Sequence, residues 1–414
     1  MTSAICKRIV GSLASQFCRR RCFATVSRQQ ADHVRIVEVG PRDGLQNEKQ
    51  SISVGTKIEL CERLAHSGLQ TIEAGSFVHP KWVPQMDNSN AILKHILKKP
   101  PSAPHPITYQ WLLPNQKGLD RFLATCDAFS QKNHEDLNRT PAVGIESGSS
   151  PRAYAQNPNE TPSSTSGSNA SSSYPSPLPS PSDSSQSAIP FPSEIAHEVS
   201  LFLAATESFS QRNTNCSIAE SLKRFAPLIS NAKARGIKSR AYISVALGCP
   251  FEGPNSPKPT VVADIATSLL EMGADEISVA DTTGMGTAPR TKELLKALSA
   301  AGVRNEDLAL HFHDTYGMAL VNTLVSLEHG VRVFDAAVGG LGGCPFSPGA
   351  TGNVATEDLV YLFESLGLNT GIDLVEMSRI GEWISGELGR EHGMGSRVGK
   401  ASLARSRWVK ERGK

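Results

Sequence analysis

The stretch Leu308-Ala-Leu-His-Phe-His-Asp-Thr-Tyr-Gly317 carries two imidazoles one residue apart. Side chains at i and i+2 of a strand share a face, so His311 and His313 project together while Asp314 points to the opposite side. Neutral imidazole is the commonest protein metal ligand. A His-x-His pair alone is more often two unrelated core residues, so its weight depends on what converges on it. A carboxylate (Asp43) and an amide oxygen (Asn353) would complete a mixed oxygen and nitrogen donor set. Such a set suits a six-coordinate Mg²⁺ or Mn²⁺ with positions left for substrate oxygens better than a closed tetrahedral Zn²⁺ site.

Short apolar runs alternate with longer amphipathic ones through most of the chain. Strands are predicted over 35–39, 71–74, 107–113, 199–203, 239–245, 276–279, 309–313 and 333–337. Helical spacing follows each of them, over 56–66, 90–97, 119–129, 218–234, 261–272, 291–301, 319–328 and 357–366. Eight such units in about 300 residues predict an α/β fold of the (β/α)8 TIM-barrel type. The alternative, a doubly wound open sheet, would carry a GxGxxG fingerprint in its first βα turn. Glu38-Val-Gly-Pro-Arg-Asp-Gly44 does not match it.

A barrel presents its chemistry at strand C-termini and in the loops that follow. Arg42, Asp43, Gln46, Asn47 and Lys49 come after the first strand. Glu73 lies in the second strand and Tyr242 in the fifth; Ser278 and Asp281 close the sixth. His311 and His313 end the seventh, and the glycine-rich loop after the eighth brings Cys344 and Asn353. Polar groups from at least five strands thus aim at one mouth. Cys344 is free to close over a substrate, or is a small buried hydrophobe; Cys249, in a similar Gly-Cys-Pro setting, has no reactive neighbour in sequence.

The chain has 414 residues and a formal charge of +2, with no apolar run near the roughly 20 residues of a membrane span. Neither a nucleic-acid nor a membrane partner is expected. Residues 1–31 contain no acid and six basic residues, so the remainder carries about −4. This Ser- and Arg-rich leader fits a mitochondrial transit peptide, the alternative being a disordered basic tail. Three of eight cysteines lie in it; the other five are scattered and odd in number, which excludes a disulfide framework. Residues 131–192 are dominated by Ser, Pro, Asn and Gly and lack the side chains that offset ordering entropy. They are expected to form a disordered insert between the third helix and fourth strand, on the face opposite the mouth. The catalytic domain is expected over 32–390, followed by a basic tail over 391–414.

Several motifs together resemble the 3-hydroxy-3-methylglutaryl-coenzyme A lyase family. They are VEVGPRDGLQNEK (37–49), EAGSFVHPKWVPQM (73–86), NCSIAES (215–221), ALGCPFEG (246–253), ADTTGMGTAP (280–289), HFHDTYG and GLGGCPFSPGATGNVATEDLVY (340–361). The similarity spans nearly all of 34–374 outside the insert. The glycine loop holding Cys344 and the HDTYG continuation separate it from the condensing synthases of the wider superfamily. The insert departs from the family pattern, and the Glu411-Arg-Gly-Lys414 end lacks a Cys-Lys-Leu-type peroxisomal signal.

The resemblance implies a metal-dependent retro-Claisen cleavage of 3-hydroxy-3-methylglutaryl-coenzyme A to acetyl-coenzyme A and acetoacetate by a homodimer, which the leader would direct to the mitochondrial matrix. The alternatives are a lyase for a related 3-hydroxy-3-alkylglutaryl thioester and a catalytically silent binding homologue. It implies Asp43, His311, His313 and Asn353 as metal ligands, and Arg42, Glu73, Asp281, Cys344 and His311 as catalytic groups. Arg42, Gln46, Asn47, Lys49, Tyr242 and Ser278 would contact substrate. Either Asp281 or a histidine would remove the hydroxyl proton.

Overall fold

The structure is a computed structural model that describes residues 33–139, 195–343, 352–390 and 393–412. The strands are β1 (Arg35–Glu38), β2 (Thr71–Ser76), β3 (Thr108–Leu112), β4 (Ala196–Ala204), β5 (Lys238–Ser244), β6 (Glu276–Asp281), β7 (Leu308–Phe312) and β8 (Val333–Ala336). They pair in parallel in chain order, and β8 closes on β1. The expected (β/α)8 barrel is therefore present.

The helices that follow are α1 (Val54–His66), α2 (Ser89–Lys98), α3 (Gln116–Arg139), α4 (Glu207–Thr214), α5 (Ile218–Ala234), α6 (Pro259–Glu271), α7 (Ala288–Ala300), α8 (Ala319–Glu328), α9 (Thr356–Ser365), α10 (Leu374–Glu387) and α11 (Arg397–Arg412). Side-chain caps fix several starts. Ser53 Oγ accepts from Thr56 N, Ser217 Oγ from Glu220 N, and Asp373 from Val375 and Glu376 N. No helix among the described residues is long and apolar enough to cross a membrane.

Between strands and helices lies a continuous apolar layer, with Leu60, Leu64, Ile72, Trp111, Phe122, Ile243, Leu310 and Phe363 all essentially inaccessible. Inside the barrel the side chains are largely polar. Glu73, Ser200, Arg240, Ser278 and Asp335 are each no more than 1% exposed. Strand parity accounts for the division, since alternate residues face the helices or the axis.

The expected strand and helix positions hold, with differences at the edges. The helical pattern read to residue 129 continues to Arg139, because QKNHEDLNR contains no proline or glycine to stop it. The start of the expected insert is thus helical backbone, and 140–194 lie outside the described residues. β4 begins three residues before the predicted strand, and α4 is an additional helix on the β4 side of α5. Two further helices follow α9. Of these, α11 occupies most of the basic C-terminal segment and packs on α10 and α9.

Candidate active site

Immediately after β1 the chain turns through Gly40–Gly44, with Pro41 opening the turn. Glu38 governs this turn and the β8 loop together. Its Oε1 accepts from Gly40 N at 2.8 Å and Val338 N at 2.9 Å, and its Oε2 accepts from Thr356 Oγ1 at 2.6 Å. A Cβ on Gly40 would lie 2.4 Å from Glu38 Oε1, so only glycine fits there. Glu357 accepts from Gly339 N in the neighbouring loop at 3.0 Å. Burial pushes the carboxyls up, Glu38 to about 7 and Glu357 to about 8.

The turn delivers Arg42 and Asp43 to the mouth. Arg42 Nε donates to Glu73 Oε2 at 2.7 Å, Nη2 lies 2.6 Å from the same oxygen, and Nη1 donates to Asp43 Oδ1 at 2.6 Å. Glu73 is fully buried and also accepts from Ser200 Oγ (2.6 Å) and Tyr242 Oη (3.2 Å). Burial opposes the Arg42 charge, but Glu73 and Asp43 overcome it and hold the guanidinium above its ordinary range. Burial likewise raises the Asp43 carboxyl, yet Arg42 foremost, with His311 and His313, brings it down to about 2.

His311 and His313 arrive from the C-terminal end of β7. Nε2 of each lies 4.0 Å from Asp43 Oδ2. One ligand atom from each of Asp43, His311 and His313 falls within 4.8 Å of the others, so the three form a group that could hold a metal ion. Asn353 joins them. Its Nδ2 donates to Asp43 Oδ2 (2.9 Å) and to Leu341 O (3.0 Å), while its Oδ1 is buried without a partner among the described residues. An orphaned buried carbonyl beside an ionised carboxylate and two imidazoles fits a divalent cation. Burial foremost, and then His311, pushes the His313 imidazole down to about 4, which leaves it neutral near pH 7. Asp314 stands apart: its Oδ1 accepts from Ala319 N at the start of α8.

Asp281 ends β6 with Oδ2 accepting from Gly286 N at 2.9 Å and Oδ1 buried and unpartnered among the described residues. Burial pushes its carboxyl up to about 7. Gln46, Asn47 and Lys49 line a cleft of about 310 Å³ with Trp82, Val83, Pro84 and Gln85. Gln85 staples the two loops, donating to Glu48 O and Gln50 O and accepting from Ile52 N. Asn47 Nδ2 donates to Gly343 O in the β8 loop at 2.8 Å.

Two expected residues sit deeper than the mouth. Ser278 is fully buried and donates to Asp335, and Tyr242 lies between Arg240 and Glu73 in the barrel interior. Cys344 lies outside the described residues. Cys249 is buried with Sγ 3.2 Å from Thr206 Oγ1. Sequence reasoning missed Glu38, Ser200, Arg240, Asp335 and Glu357. A signal did exist for Arg240, which stands two residues before Tyr242 and hence on its face.

The fold and site define a class: a (β/α)8-barrel protein with a partly exposed carboxylate beside buried imidazoles and a buried amide at the strand C-termini. Comparison with known proteins narrows it, because the family model described as HMGL-like matches residues 33–131 and 193–384. A Pseudomonas aeruginosa protein, 3-hydroxy-3-isohexenylglutaryl-CoA/hydroxy-methylglutaryl-CoA lyase, is 41% identical over 90% of this chain and 98% of its own. The mitochondrial hydroxymethylglutaryl-CoA lyase of Macaca fascicularis is 38% identical over 94% of this chain and 95% of its own. The crystal structure of the hydroxymethylglutaryl-CoA lyase from Pseudomonas aeruginosa superimposes with a TM-score of 0.69 at 40% identity, covering 90% and 98% of the two chains. The chain belongs to the HMGL-like family.

Proposed function

We propose that this protein is a carbon–carbon lyase that cleaves 3-hydroxy-3-methylglutaryl-CoA to acetyl-CoA and acetoacetate. The single observation that carries the reading is the Asp43–His311–His313 cluster beside Arg42, borne by a chain of this family. Asp43, His311, His313 and Asn353 would hold the cation, Mg²⁺ or Mn²⁺. When bound, it would polarise the substrate's hydroxyl and carbonyl oxygens.

The chain's own residues supply the rest. Asp281, with its carboxyl raised to about 7 by burial and one oxygen free, is suited to take the tertiary hydroxyl proton. The C2–C3 bond then breaks, the hydroxyl carbon becomes the ketone of acetoacetate, and the electron pair passes to the acetyl thioester as an enolate. Arg42 stabilises that enolate oxygen, its fork already fixed by Glu73 and Asp43. Glu73 and Tyr242 hold Arg42 in place. Cys344 is assigned the proton delivery to the enolate carbon.

The acyl-CoA chain is assigned to the cleft of Gln46, Asn47 and Lys49, where exposed Trp82 offers an apolar wall. We place the enzyme in the mitochondrial matrix on its acid-free leader and read it as a homodimer by family. The deciding assay is acetoacetate release from 3-hydroxy-3-methylglutaryl-CoA with Mg²⁺, abolished by EDTA. Absence of release with the metal-loaded protein would refute the assignment. The Pseudomonas relative's name also gives an isohexenyl substrate. The same assay with that thioester measures how far the pocket admits longer 3-alkyl groups.

A further inference from the structure

His311 and His313 present the same ring nitrogen to Asp43 but are backed differently. Nδ1 of His311 lies 3.2 Å from Asp335 Oδ2, whereas Nδ1 of His313 is buried with no hydrogen-bond partner among the described residues. Asp335 comes from β8, directly opposite His311 in the β7–β8 register, and is 1% exposed. Arg240 Nη2 donates to its Oδ1 at 2.6 Å, and Ser278 Oγ donates to its Oδ2 at 2.8 Å.

Arg240 cannot swing away. Its Nε lies 2.8 Å from Glu276 Oε1, its Nη1 donates to Tyr242 Oη at 3.3 Å, and Glu276 in turn pairs with Arg35. Asp335 Oδ1 is thus salt-bridged to the Arg240 guanidinium at 2.6 Å while its Oδ2 accepts from Ser278. An ionised carboxylate only accepts hydrogen bonds. The bond between Asp335 and His311 is therefore donated by His311 Nδ1, and Nε2 is the atom His311 presents to Asp43.

We infer that Asp335, clamped by Arg240 and Ser278, is a positioning residue that fixes His311 as the Nδ1–H tautomer and makes it the stronger of the two imidazole donors. A carboxylate behind a ligating histidine orients the ring and raises its basicity, and losing it typically weakens metal affinity 10–100-fold. Among the described residues His313 has no such support, so the two donors are unequal although they adjoin on one strand face. The inference rests on the reading of the cluster as a divalent-cation site.

The test is Mn²⁺ binding to the full chain, followed by calorimetry and by electron paramagnetic resonance. The wild type is compared with Asp335→Asn and Ser278→Ala. The asparagine amide can accept from Arg240 while turning its NH₂ towards His311, which favours the wrong tautomer. Asp335→Asn should bind Mn²⁺ roughly 10–100-fold more weakly with an altered resonance spectrum. Ser278→Ala, which removes a hydrogen bond from the same carboxylate oxygen and leaves the tautomer alone, should stay within about 3-fold, the scale of one lost modest hydrogen bond.

If the wild type binds Mn²⁺ and Asp335→Asn matches it, the positioning inference is overturned and the cation site stands. If the wild type binds none, the cation-site reading falls and this inference falls with it. Should Asp335→Asn fail to fold, the wild type still decides. Long-range ¹H–¹⁵N spectra of ¹⁵N-histidine protein, assigned by the peaks lost in His311→Gln, should show Nδ1–H at His311, and Nε2–H there would overturn the proposal.

Discussion

Arg42 offers a perturbation whose stability and catalytic effects separate. Arg42→Gln removes the guanidinium that pairs with Glu73, which is fully buried, and with Asp43, which is partly exposed. At N–O separations near 2.6 Å and an effective dielectric of about 20, each contact amounts to several kcal/mol before desolvation is subtracted. Breaking a buried pair from one side costs about 3–5 kcal/mol. Ser200 and Tyr242 continue to donate to Glu73, which argues for the lower end. For a barrel of about 300 residues, at about 2.1 cal/mol/K per residue, that is a fall in Tm of roughly 5 °C.

Arg42→Lys keeps the charge but cannot reach both carboxylates from separate nitrogens, so it should lose only about 1 kcal/mol, like a single modest hydrogen bond. Its catalytic loss should be far larger, about 10²–10³ in kcat, the usual effect of removing one preorganised oxyanion donor. Thermal melts and acetoacetate-release kinetics on both variants make the test. An Arg42→Lys enzyme within about 5-fold of wild-type kcat would refute the enolate role, since that lies well below one such donor's contribution. An Arg42→Gln protein melting within about 1 °C of wild type would refute the assigned energetics, because it corresponds to under about 1 kcal/mol.

Cys344→Ser should lower kcat at least about 100-fold, the scale of general acid–base catalysis, while Mn²⁺ affinity is unchanged; full activity would remove Cys344 from the mechanism. The rate should rise with pH through about 7 as Asp281 ionises, and Asp281→Asn should lose both that limb and about 10²–10⁴ of the rate. A limb near 7 surviving in the variant would assign it to another group. Glu357, raised to about 8 by burial, binds its proton more tightly folded than unfolded. Its contribution to stability is complete below the ordinary carboxylate range near 4.5 and is lost as pH rises through about 8. Glu357→Gln should therefore flatten the fall in Tm between pH 6 and 9, and an unaltered slope would contradict it. Excising 142–190, which enter between α3 and β4 away from the strand C-termini, should leave kcat within about 2-fold by the usual tolerance of surface loops. A large loss would make the segment part of the machinery.

What was legible in the sequence followed strand parity and strand-to-loop order. His311 and His313 share a face because they are two apart, and Asp43 and Asn353 reach them because both lie beyond strand C-termini. The barrel itself was readable from eight alternations of apolar run and amphipathic stretch. Less legible were residues whose partners lie far away in sequence. Asp335 sits in Val-Phe-Asp-Ala-Ala, which reads as an ordinary apolar strand until the β7–β8 register sets it opposite His311. Glu38 reads as a strand residue, and only folding brings Val338 N and Thr356 Oγ1 to it from 300 or more residues away. Ser278 was assigned to the mouth because it is near the end of β6, yet its hydrogen bond to Asp335 holds it one layer lower. The helices α4, α10 and α11 lie outside the simple alternation that exposed the barrel.

The barrel interior explains why the site needs so many silent partners. Barrel cores of this type are usually filled by branched apolar side chains. Here the axis instead carries Arg240 between Asp335 and Glu276, with Tyr242 linking it to Glu73 and so to Arg42. Buried ion pairs are often no more stabilising than apolar residues of the same volume. Stability alone therefore does not account for charges at these positions. They do fix the rotamers of the residues above them: Glu73 aims Arg42, and Asp335 aims His311. Both are carried on strands rather than loops, where hydrogen-bonded neighbours restrict movement most. A reaction that places negative charge first on an alkoxide and then on an enolate requires donors set before the charge appears. A polar barrel axis provides that setting.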